Sequence, residues 1–371
     1  MRAVILAAGF GTRLWPLTAD RTKPAIPFLN RPLISYCVQY LVEHRIHEII
    51  INLHHQPESI RDALGSGSRY GAEIEYSYEE EILGTSGALD RVRDRLIGDD
   101  FVVINGKIIT TMNLRAAIQH HRDRKALTTL VLRPNPARER FSIVEVDANG
   151  WIKEFGPHPT PLAPARGSEE SCGKPLYGCP GAGAVVALPA PSAGGPSPGM
   201  APLGSPASAA IDDRTPLMFT GIQVLSPRIF EYIPRGVFSH STVHVYPRAI
   251  EAGEAVIGYV SDDDWYEMST LNRYLEASMA LERKALPPGS EEPAIMGKDC
   301  IIEAGADVRN SVLWERVVVE AGARVDCSVI GDGVRIPSGA NICRAAVVRR
   351  DAVRNIERGM VVGDNLIVPI D

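Results

Sequence analysis

The sequence IEAGADV at residues 302–308 returns as VEAGARV at 319–325 and as IPSGANI at 336–342, a spacing of 17 residues. Apolar anchors follow one another at steps of five or six positions, a period that no α-helix keeps. Branched apolar residues with small residues near the corners are typical of the stacked coils of a parallel β-helix. The repeat therefore predicts about three such coils. The anchors are Ile302, Val308, Leu313, Val319, Val325, Ile330, Ile336, Ile342 and Val347.

The first 135 residues alternate short apolar runs with segments of helical period. This pattern is typical of a parallel sheet covered by helices. The runs at 4–6, 49–51 and 101–104 predict buried strands, and the spacing from Ile34 to Val42 predicts a helix. Further strands are predicted at 128–132, 143–146 and 218–225, the second of them followed by a hairpin turn at 147–150. An α/β fold follows.

The composition changes abruptly between residues 157 and 216. These 60 residues hold 13 of the 28 prolines and 9 of the 33 glycines of the chain. Such a segment buries too little apolar surface to offset the entropy that is lost on ordering. We therefore predict a flexible insertion, rich in Pro, Gly and Ala, within the first domain.

The whole chain has the composition of a globular protein: of 371 residues, 45% are hydrophobic and 23% charged, with a net charge of -6. This mild acidic excess argues against binding to nucleic acid or to an anionic membrane, so a small partner is expected. The sequence has no apolar run of about 18 residues, the length that a membrane span needs. The six cysteines form no CxxC pair and the apolar start is too short for a signal peptide, so we expect reduced thiols and a cytoplasmic location.

The loop after the first predicted strand is a candidate phosphate cradle. Its sequence is LAAGFGTRLWP at residues 6–16, and Arg21 and Lys23 follow. Backbone amides beside glycines can approach a phosphate closely. A dinucleotide fingerprint needs a small residue where Leu14 stands, and a Walker loop needs Gly-Lys-Ser or Gly-Lys-Thr. The loop therefore predicts a polyanion site without naming the ligand.

A longer set of motifs resembles a known family. The motif GxGTRLxPLT at 9–18 with TKPA at 22–25 closely resembles the signature of the sugar-1-phosphate nucleotidyltransferases. Further motifs of that family resemble LGTSGAL at 83–89, NG at 105–106, FTGI at 219–222, DWYE at 264–267 and YLEA at 274–277. The resemblance covers nearly the whole chain outside the insertion.

The resemblance implies both the fold and the activity. The fold would be a Rossmann-like, mainly parallel nucleotidyltransferase domain over 1–285, followed by a hexapeptide-type left-handed parallel β-helix over 293–371. The activity would transfer a nucleotidyl group from a nucleoside triphosphate to a sugar 1-phosphate and release pyrophosphate. The 83–89 motif is most similar to that of the mannose-1-phosphate guanylyltransferases, so GTP and mannose 1-phosphate are the first expectation.

The resemblance also implies roles for individual residues. Arg13 would stabilise the triphosphate and the leaving pyrophosphate, and Lys23 would neutralise charge at the α-phosphate. The other positions lie on the nucleotide side or on the sugar and phosphate side. The nucleotide-binding positions are Leu6, Ala7, Ala8, Gly9, Gly11, Thr12, Gly84 and Thr85, and those on the sugar and phosphate side are Gly87, Asn105, Gly106, Lys107, Glu154 and Gly221.

Three positions depart from the family pattern. Lys107 stands where the family has a magnesium-binding aspartate, and a cation is no ligand for Mg²⁺. The second metal-binding aspartate corresponds to Glu267, which can still coordinate the ion. The lysine of a Glu-Lys-Pro motif, which holds the sugar phosphate, is missing after Glu154. Magnesium is therefore the expected cofactor at a degenerate metal site that keeps Glu267.

The residues leave three functions open. In an active enzyme, the ammonium of Lys107 takes the place of the metal. If the chain has lost turnover, it binds a nucleotide or nucleotide sugar and acts as a regulatory subunit or sensor. Acyltransferase activity in the β-helix is the third, although the predicted coils contain no histidine to act as a base.

Two smaller expectations complete the sequence interpretation. The acidic runs at 79–81 and 262–264 are typical of solvated turns. The end of a β-helix leaves apolar edge surface to cover, so we expect a homo-oligomer.

Overall fold

The computed structural model describes residues 1–135, 141–156, 215–287 and 294–370, in two compact units. The first unit contains Met1–Thr12 and the described parts of Asp20–Arg166 and Ala210–Ser269. The second contains Arg13–Ala19 and the described part of Thr270–Asp371. The predicted insertion lies outside the described residues except for its last two positions. Within these ranges, no helix has the length and apolar character needed to cross a membrane.

The first unit is an α/β structure of thirteen strands and five helices. The strands are β1 (Ala3–Leu6), β2 (Pro27–Phe28), β3 (Arg31–Pro32), β4 (Glu48–Leu53), β5 (Glu73–Tyr78), β6 (Phe101–Asn105), β7 (Ile108–Thr110), β8 (Thr128–Pro134), β9 (Ile143–Val146), β10 (Ile152–Phe155), β11 (Leu217–Leu225), β12 (Val256–Val260) and β13 (Trp265–Glu267). The helices are α1 (Leu33–Glu43), α2 (Glu58–Leu64), α3 (Gly84–Arg91), α4 (Leu114–Asp123) and α5 (Tyr246–Glu251).

A mixed sheet of nine strands forms the core of the first unit. Its main order is β10-β9-β11-β6-β1-β4-β5, and β8 pairs with both β11 and β12. β1 runs parallel to β4 and to β6, whereas β11 runs antiparallel to β6 and β8. The predicted strands and the predicted hairpin of β9 with β10 are confirmed.

Burial explains why the central strands have continuous apolar sequences. β1 and β6 have neighbours on both sides, and their apolar residues are almost fully buried, except for the partly buried Leu6 at the end of β1. Strands that are covered on both faces lose the polar alternation of a half-exposed sheet. α1 begins directly after Pro32 and buries Ile34, Cys37, Val38 and Leu41, as its helical spacing predicts.

The second unit consists of one helix and a stack of short strands. The helix is α6 (Leu271–Ala285). The strands are β14 (Ala294–Met296), β15 (Ile301–Ile302), β16 (Asp307–Arg309), β17 (Ser311–Leu313), β18 (Val318–Val319), β19 (Arg324–Asp326), β20 (Val329–Ile330), β21 (Arg335–Ile336), β22 (Asn341–Cys343), β23 (Ala345–Arg349), β24 (Met360–Val362) and β25 (Asn365–Pro369).

The strands β14 to β23 form the predicted parallel β-helix. Its three sheets contain β15-β18-β21, β16-β19-β22 and β14-β17-β20-β23, all paired in parallel. Each pairing joins equivalent positions of successive repeats, as Ile302 with Val319 and Val319 with Ile336. Full burial of such a side chain, as at Val319 and Ile336, contributes about 1.5–3 kcal/mol. The sequence repeat is therefore the stacking repeat of the coils.

Two details of the β-helix differ from the sequence expectation. Ile302 is 37% exposed, whereas Val319 and Ile336 are fully buried, because β15 is the first strand of its stack and no earlier coil covers it in the described residues. The stack also does not end as a plain coil. β25 returns antiparallel to β23, and β24 pairs antiparallel with β25 at the sheet edge.

Candidate active site

The carboxyl ends of three neighbouring strands bring the candidate site together. Leu6, the last residue of β1, is level with Asn52 of β4 and with Asn105 of β6. In open α/β sheets, ligands bind in the crevice outside the carboxyl ends of the strands. The loop after β1 and the ends of β4 and β6 therefore share one edge of the sheet.

The loop after β1 is anchored at its start and exposed at Gly9. The backbone N–H of Ala7 donates to Oδ1 of Asn52 (2.7 Å), and both Ala7 and Ala8 are buried. Gly9 is exposed, and a Cβ at that position would meet no atom within 4 Å. Gly11 has a positive φ of 72°, which a residue with a side chain rarely adopts. The exposed backbone of this loop can therefore receive an anionic ligand.

The two predicted catalytic cations follow this loop in the sequence. Arg13 is exposed in the 3₁₀ turn Thr12–Leu14 and begins the segment that is grouped with the second unit. Lys23 begins the 3₁₀ turn Lys23–Ala25 in the first unit, and the buried Pro24 and Ala25 fix this turn. The roles of both residues stay predictions.

The second motif forms the start of helix α3. The backbone N–H groups of Ser86 and Gly87 both donate to the carbonyl of Ser239 (3.1 and 3.3 Å), and the N–H of Thr85 donates to Nδ1 of His240 (3.4 Å). These backbone N–H donors of the first helical turn therefore already form hydrogen bonds within the chain. A Cβ at Gly84 would collide with the Ser239 carbonyl, so only glycine fits there. This helix start is built for close packing.

A buried carboxylate joins the first and second motifs. Glu79 is 1% exposed, and its two carboxylate oxygens accept hydrogen bonds from Nδ2 of Asn52 (2.8 Å) and from the N–H of Leu83 (2.9 Å). Because Asn52 also holds Ala7, one network connects both motif loops. The expectation of a solvated turn is therefore wrong for Glu79. The contact with Asn52 joins positions 27 residues apart, and the acidic run itself carries no signal of it.

Glu79→Gln is expected to weaken nucleotide binding more than it lowers kcat. The substitution replaces one carboxylate oxygen, which accepts a hydrogen bond, with an NH₂ group, which donates one. This NH₂ group would face the donor of Asn52 or of Leu83, and the lost buried hydrogen bond costs about 1–3 kcal/mol. We expect KM for the triphosphate to rise about tenfold with a lower Tm, measured by steady-state kinetics and thermal unfolding. Glu80→Gln, at the exposed neighbouring position, is the matched control. An unchanged KM in Glu79→Gln would contradict this role.

Lys107 and Glu267 form an ion pair beside the third motif. The ammonium of Lys107 donates to Oε1 of Glu267, and the backbone N–H of Met268 donates to the Lys107 carbonyl (3.1 Å). The Glu267 side chain is 6% exposed and that of Lys107 is 27% exposed. Burial alone would raise the pKa of Glu267. The charge and hydrogen bond of Lys107, with Ser269 and the charge of Lys23, nevertheless hold the pKa below its usual value.

These residues do not fit a magnesium ion at the position that the resemblance implies. One of the two positions carries an ammonium group, and the remaining carboxylate is paired with it. Mg²⁺ is bound through oxygen ligands in near-octahedral geometry. In the described ranges, no cluster of three or more His, Cys, Asp or Glu residues could hold a metal. Magnesium at Glu267 stays a prediction from the resemblance.

The predicted sugar and phosphate positions lie partly on the central strands of the sheet and partly on its edge strand β10. Gly221 has a φ of 86°, and a Cβ there would overlap the side chain of Asn105, so the close approach of β11 to β6 requires glycine. The N–H of Gly106 donates to the carbonyl of Leu6 (3.0 Å), which ties the third motif to the first. Glu154 is exposed on β10, at the end of the sheet order.

The structure thus brings most of the predicted first-unit positions to one edge of the sheet. The loop after β1, Asn105 and Gly106 meet there, and Lys23 acts electrostatically on Glu267. Glu154 lies on a different strand at the margin of the sheet. Sequence reasoning missed Asn52 and Glu79.

Comparison with known proteins identifies the family of this architecture. A family model described as nucleotidyl transferase matches residues 2–284, and one described as a GlmU-like C-terminal hexapeptide matches residues 281–367. The chain is 28% identical to a UTP–glucose-1-phosphate uridylyltransferase of Synechocystis sp., over 85% of this chain and 83% of that protein. It is 27% identical to a mannose-1-phosphate guanylyltransferase of Mycobacterium tuberculosis, over 84% of this chain and 72% of that protein.

A solved structure supports the fold. HddC from Yersinia pseudotuberculosis has a TM-score of 0.55 and 18% identity, over 76% of this chain and 99% of that chain. At this identity the likeness shows the fold alone. The predicted fold class, a Rossmann-like domain followed by a hexapeptide-type left-handed β-helix, is confirmed. The chain belongs to the nucleotidyl transferase family, among the sugar-1-phosphate nucleotidyltransferases.

Proposed function

We propose that the chain transfers a guanylyl group from GTP to mannose 1-phosphate, giving GDP-mannose and pyrophosphate. The observation that carries the nucleotidyl transfer is the exposed glycine loop at the sheet edge, with Lys23 in the same unit. The choice of guanine rests on the LGTSG form of the second motif and on the similarity to the M. tuberculosis guanylyltransferase. The similarity to a uridylyltransferase makes UTP with glucose 1-phosphate the competing pair.

The proposed reaction needs positioning and charge neutralisation more than acid–base chemistry. A phosphate oxygen of the sugar 1-phosphate forms the new bond to the α-phosphorus, while the bond from that phosphorus to the β-phosphate oxygen breaks. The nucleophile is already an oxyanion, so no general base is required. Fixed cations that face the developing charge lower the barrier. We assign this task to Lys23 at the α-phosphate and to Arg13 at the leaving pyrophosphate.

A pyrophosphate-release screen tests the proposal. GTP, UTP, ATP, CTP and dTTP are each paired with mannose 1-phosphate, glucose 1-phosphate and other hexose 1-phosphates, with magnesium present as the nucleotide counterion. We expect the highest kcat/KM for GTP with mannose 1-phosphate. A different best pair would keep the nucleotidyl transfer but overturn the substrate assignment.

The ion pair of Lys107 with Glu267 favours a second candidate, a chain that binds nucleotide or nucleotide sugar without turnover. The pair occupies the two positions at which the resemblance implies metal ligands. Calorimetric titration with GTP and with GDP-mannose separates the two candidates. Binding without pyrophosphate release for any pair would support the sensor, and release above background for one pair would exclude it.

A further inference from the structure

The C-terminal edge strand β24 is unusually exposed for a strand of apolar residues. Met360, Val361 and Val362 are 46%, 44% and 40% exposed, and every residue from 354 to 364 is exposed. β24 ends the sheet order β14-β17-β20-β23-β25-β24, so in the described structure its outer side meets no further strand. Edge strands are usually protected by charged residues, proline or a bulge, and β24 carries none of them.

The turn after β24 determines which backbone groups point outward. Val362 and Asn365 are paired, with only Gly363 and Asp364 between them, and Gly363 has the positive φ of 58° that a tight hairpin turn needs. The pair that closes a two-residue turn exchanges both backbone hydrogen bonds, and the direction alternates along the strand. The N–H and C=O of Val361 therefore point away from β25, toward the open edge.

We propose that β24 pairs antiparallel with β24 of a second copy of this chain, about a two-fold axis at Val361. The two outward-facing Val361 residues would exchange both backbone hydrogen bonds, and Met360 would stand opposite Val362 of the second copy. The sheet would then continue through both molecules as β23-β25-β24 followed by β24-β25-β23. The partner is a second copy, because the geometry is self-complementary.

The charges beside the strand fit this register. The two-fold pairing sets the segment before β24 of one copy beside the turn after β24 of the other, which brings Arg358 near Asp364 of the second copy, twice in the dimer. Both residues are exposed. Arg358 also donates to the carbonyl of Trp15 through Nη2 (3.4 Å), which leaves its other N–H groups for the second copy.

The opposite end of the β-helix lacks this complementarity. Ile301 is 55% exposed on β15, which is also an edge strand. The backbone of Ile302 faces the open edge, because the N–H groups of Ile301 and Glu303 donate to Val317 and Val319. A two-fold axis at Ile302 would place the apolar Ile301 opposite the charged Glu303 of the second copy, with no pair of opposite charges. The charges therefore favour β24 over β15.

Sedimentation velocity of the full chain between about 1 and 50 µM tests the pairing. A three-residue strand with its flanks is small beside a standard interface of about 800 Å² per partner, so we expect a dimer with a micromolar Kd. Val361→Lys places two ammonium groups at the axis and is expected to give monomers. Val361→Pro removes the outward N–H, which makes no bond to β25, and fixes φ of this residue. It is expected to weaken the dimer at least about tenfold, as two lost hydrogen bonds imply. Ile301→Lys is the matched control and should stay dimeric.

A charge exchange tests the register without changing the strand. Asp364→Arg should weaken the dimer, and Asp364→Arg combined with Arg358→Asp should restore it. Circular dichroism verifies that each variant is folded. A monomeric parent at 50 µM, dissociation by Ile301→Lys with none by Val361→Lys, or no recovery in the double variant would each overturn the proposal.

Discussion

Replacing Lys23→Met is expected to lower kcat for pyrophosphate release by about 100- to 1,000-fold, the usual cost of losing one preorganised group that stabilises transition-state charge. Lys23 is half-buried at the start of the turn Lys23–Ala25, and Pro24 and Ala25 anchor that turn in the core. Methionine keeps the length and apolar stem of the side chain but not its charge. Because charge at the α-phosphate grows in the transition state, kcat should fall more than KM rises.

Arg21→Met is the matched control for this prediction. Arg21 lies two residues earlier, and its guanidinium is held by Asp20 with two hydrogen bonds of 2.9 Å. Because Asp20 already neutralises Arg21, and a pair that water can reach contributes little to stability, activity should change less than threefold. Equal losses in both variants would show that the overall positive charge matters, and a Lys23→Met enzyme with normal kcat would contradict the assigned role.

The sequence predicts those features of the fold that arise from a regular pattern in the residues of the element itself. The 17-residue repeat predicts the coils because each apolar anchor stacks on its equivalent one repeat later, as Val319 does on Ile336. Continuous apolar runs predict β1 and β6 because these strands are buried on both faces. The antiparallel hairpin of β24 and β25 escapes prediction, since its short, exposed first strand has no repeat or alternation.

The candidate site shows the same division between local and distant causes. Gly11 of the first motif is visible in the sequence because its positive φ favours glycine. Glu79 is invisible, because its burial depends on Asn52 and Leu83, and Asn52 lies on another strand. Lys107 and Glu267 are 160 positions apart, and the resemblance, rather than any pattern in the residues, predicts that they face each other.

Lys107→Asp is expected to raise the magnesium-dependent rate by about one to three orders of magnitude, each factor of ten corresponding to about 1.4 kcal/mol of barrier. The reason is the ion pair: the ammonium of Lys107 neutralises Glu267 and keeps this carboxylate from any other cation. The change would place two carboxylates where the structure now has one ion pair. The measurement is pyrophosphate release titrated with magnesium, for the parent, Lys107→Asp and Lys107→Ala.

Stability provides a second readout that does not depend on turnover. Without magnesium, Lys107→Asp sets two carboxylates against each other and leaves the nearly buried Glu267 without its cation, so Tm should fall. An ion that binds only the folded state raises stability, so magnesium should restore Tm in this variant and leave the parent unchanged. Lys107→Ala, with a single carboxylate, should recover less.

The sign of the change in rate separates the two roles of Lys107. If the ammonium itself neutralises substrate phosphate, Lys107→Asp places a negative charge beside the phosphates, and the rate must fall even where magnesium restores Tm. If the ammonium only blocks a metal position, rate and Tm must rise together along the same magnesium titration. An unchanged rate with normal nucleotide binding would show that Lys107 faces away from the phosphates, and the assignment of the third motif to the site would then be wrong.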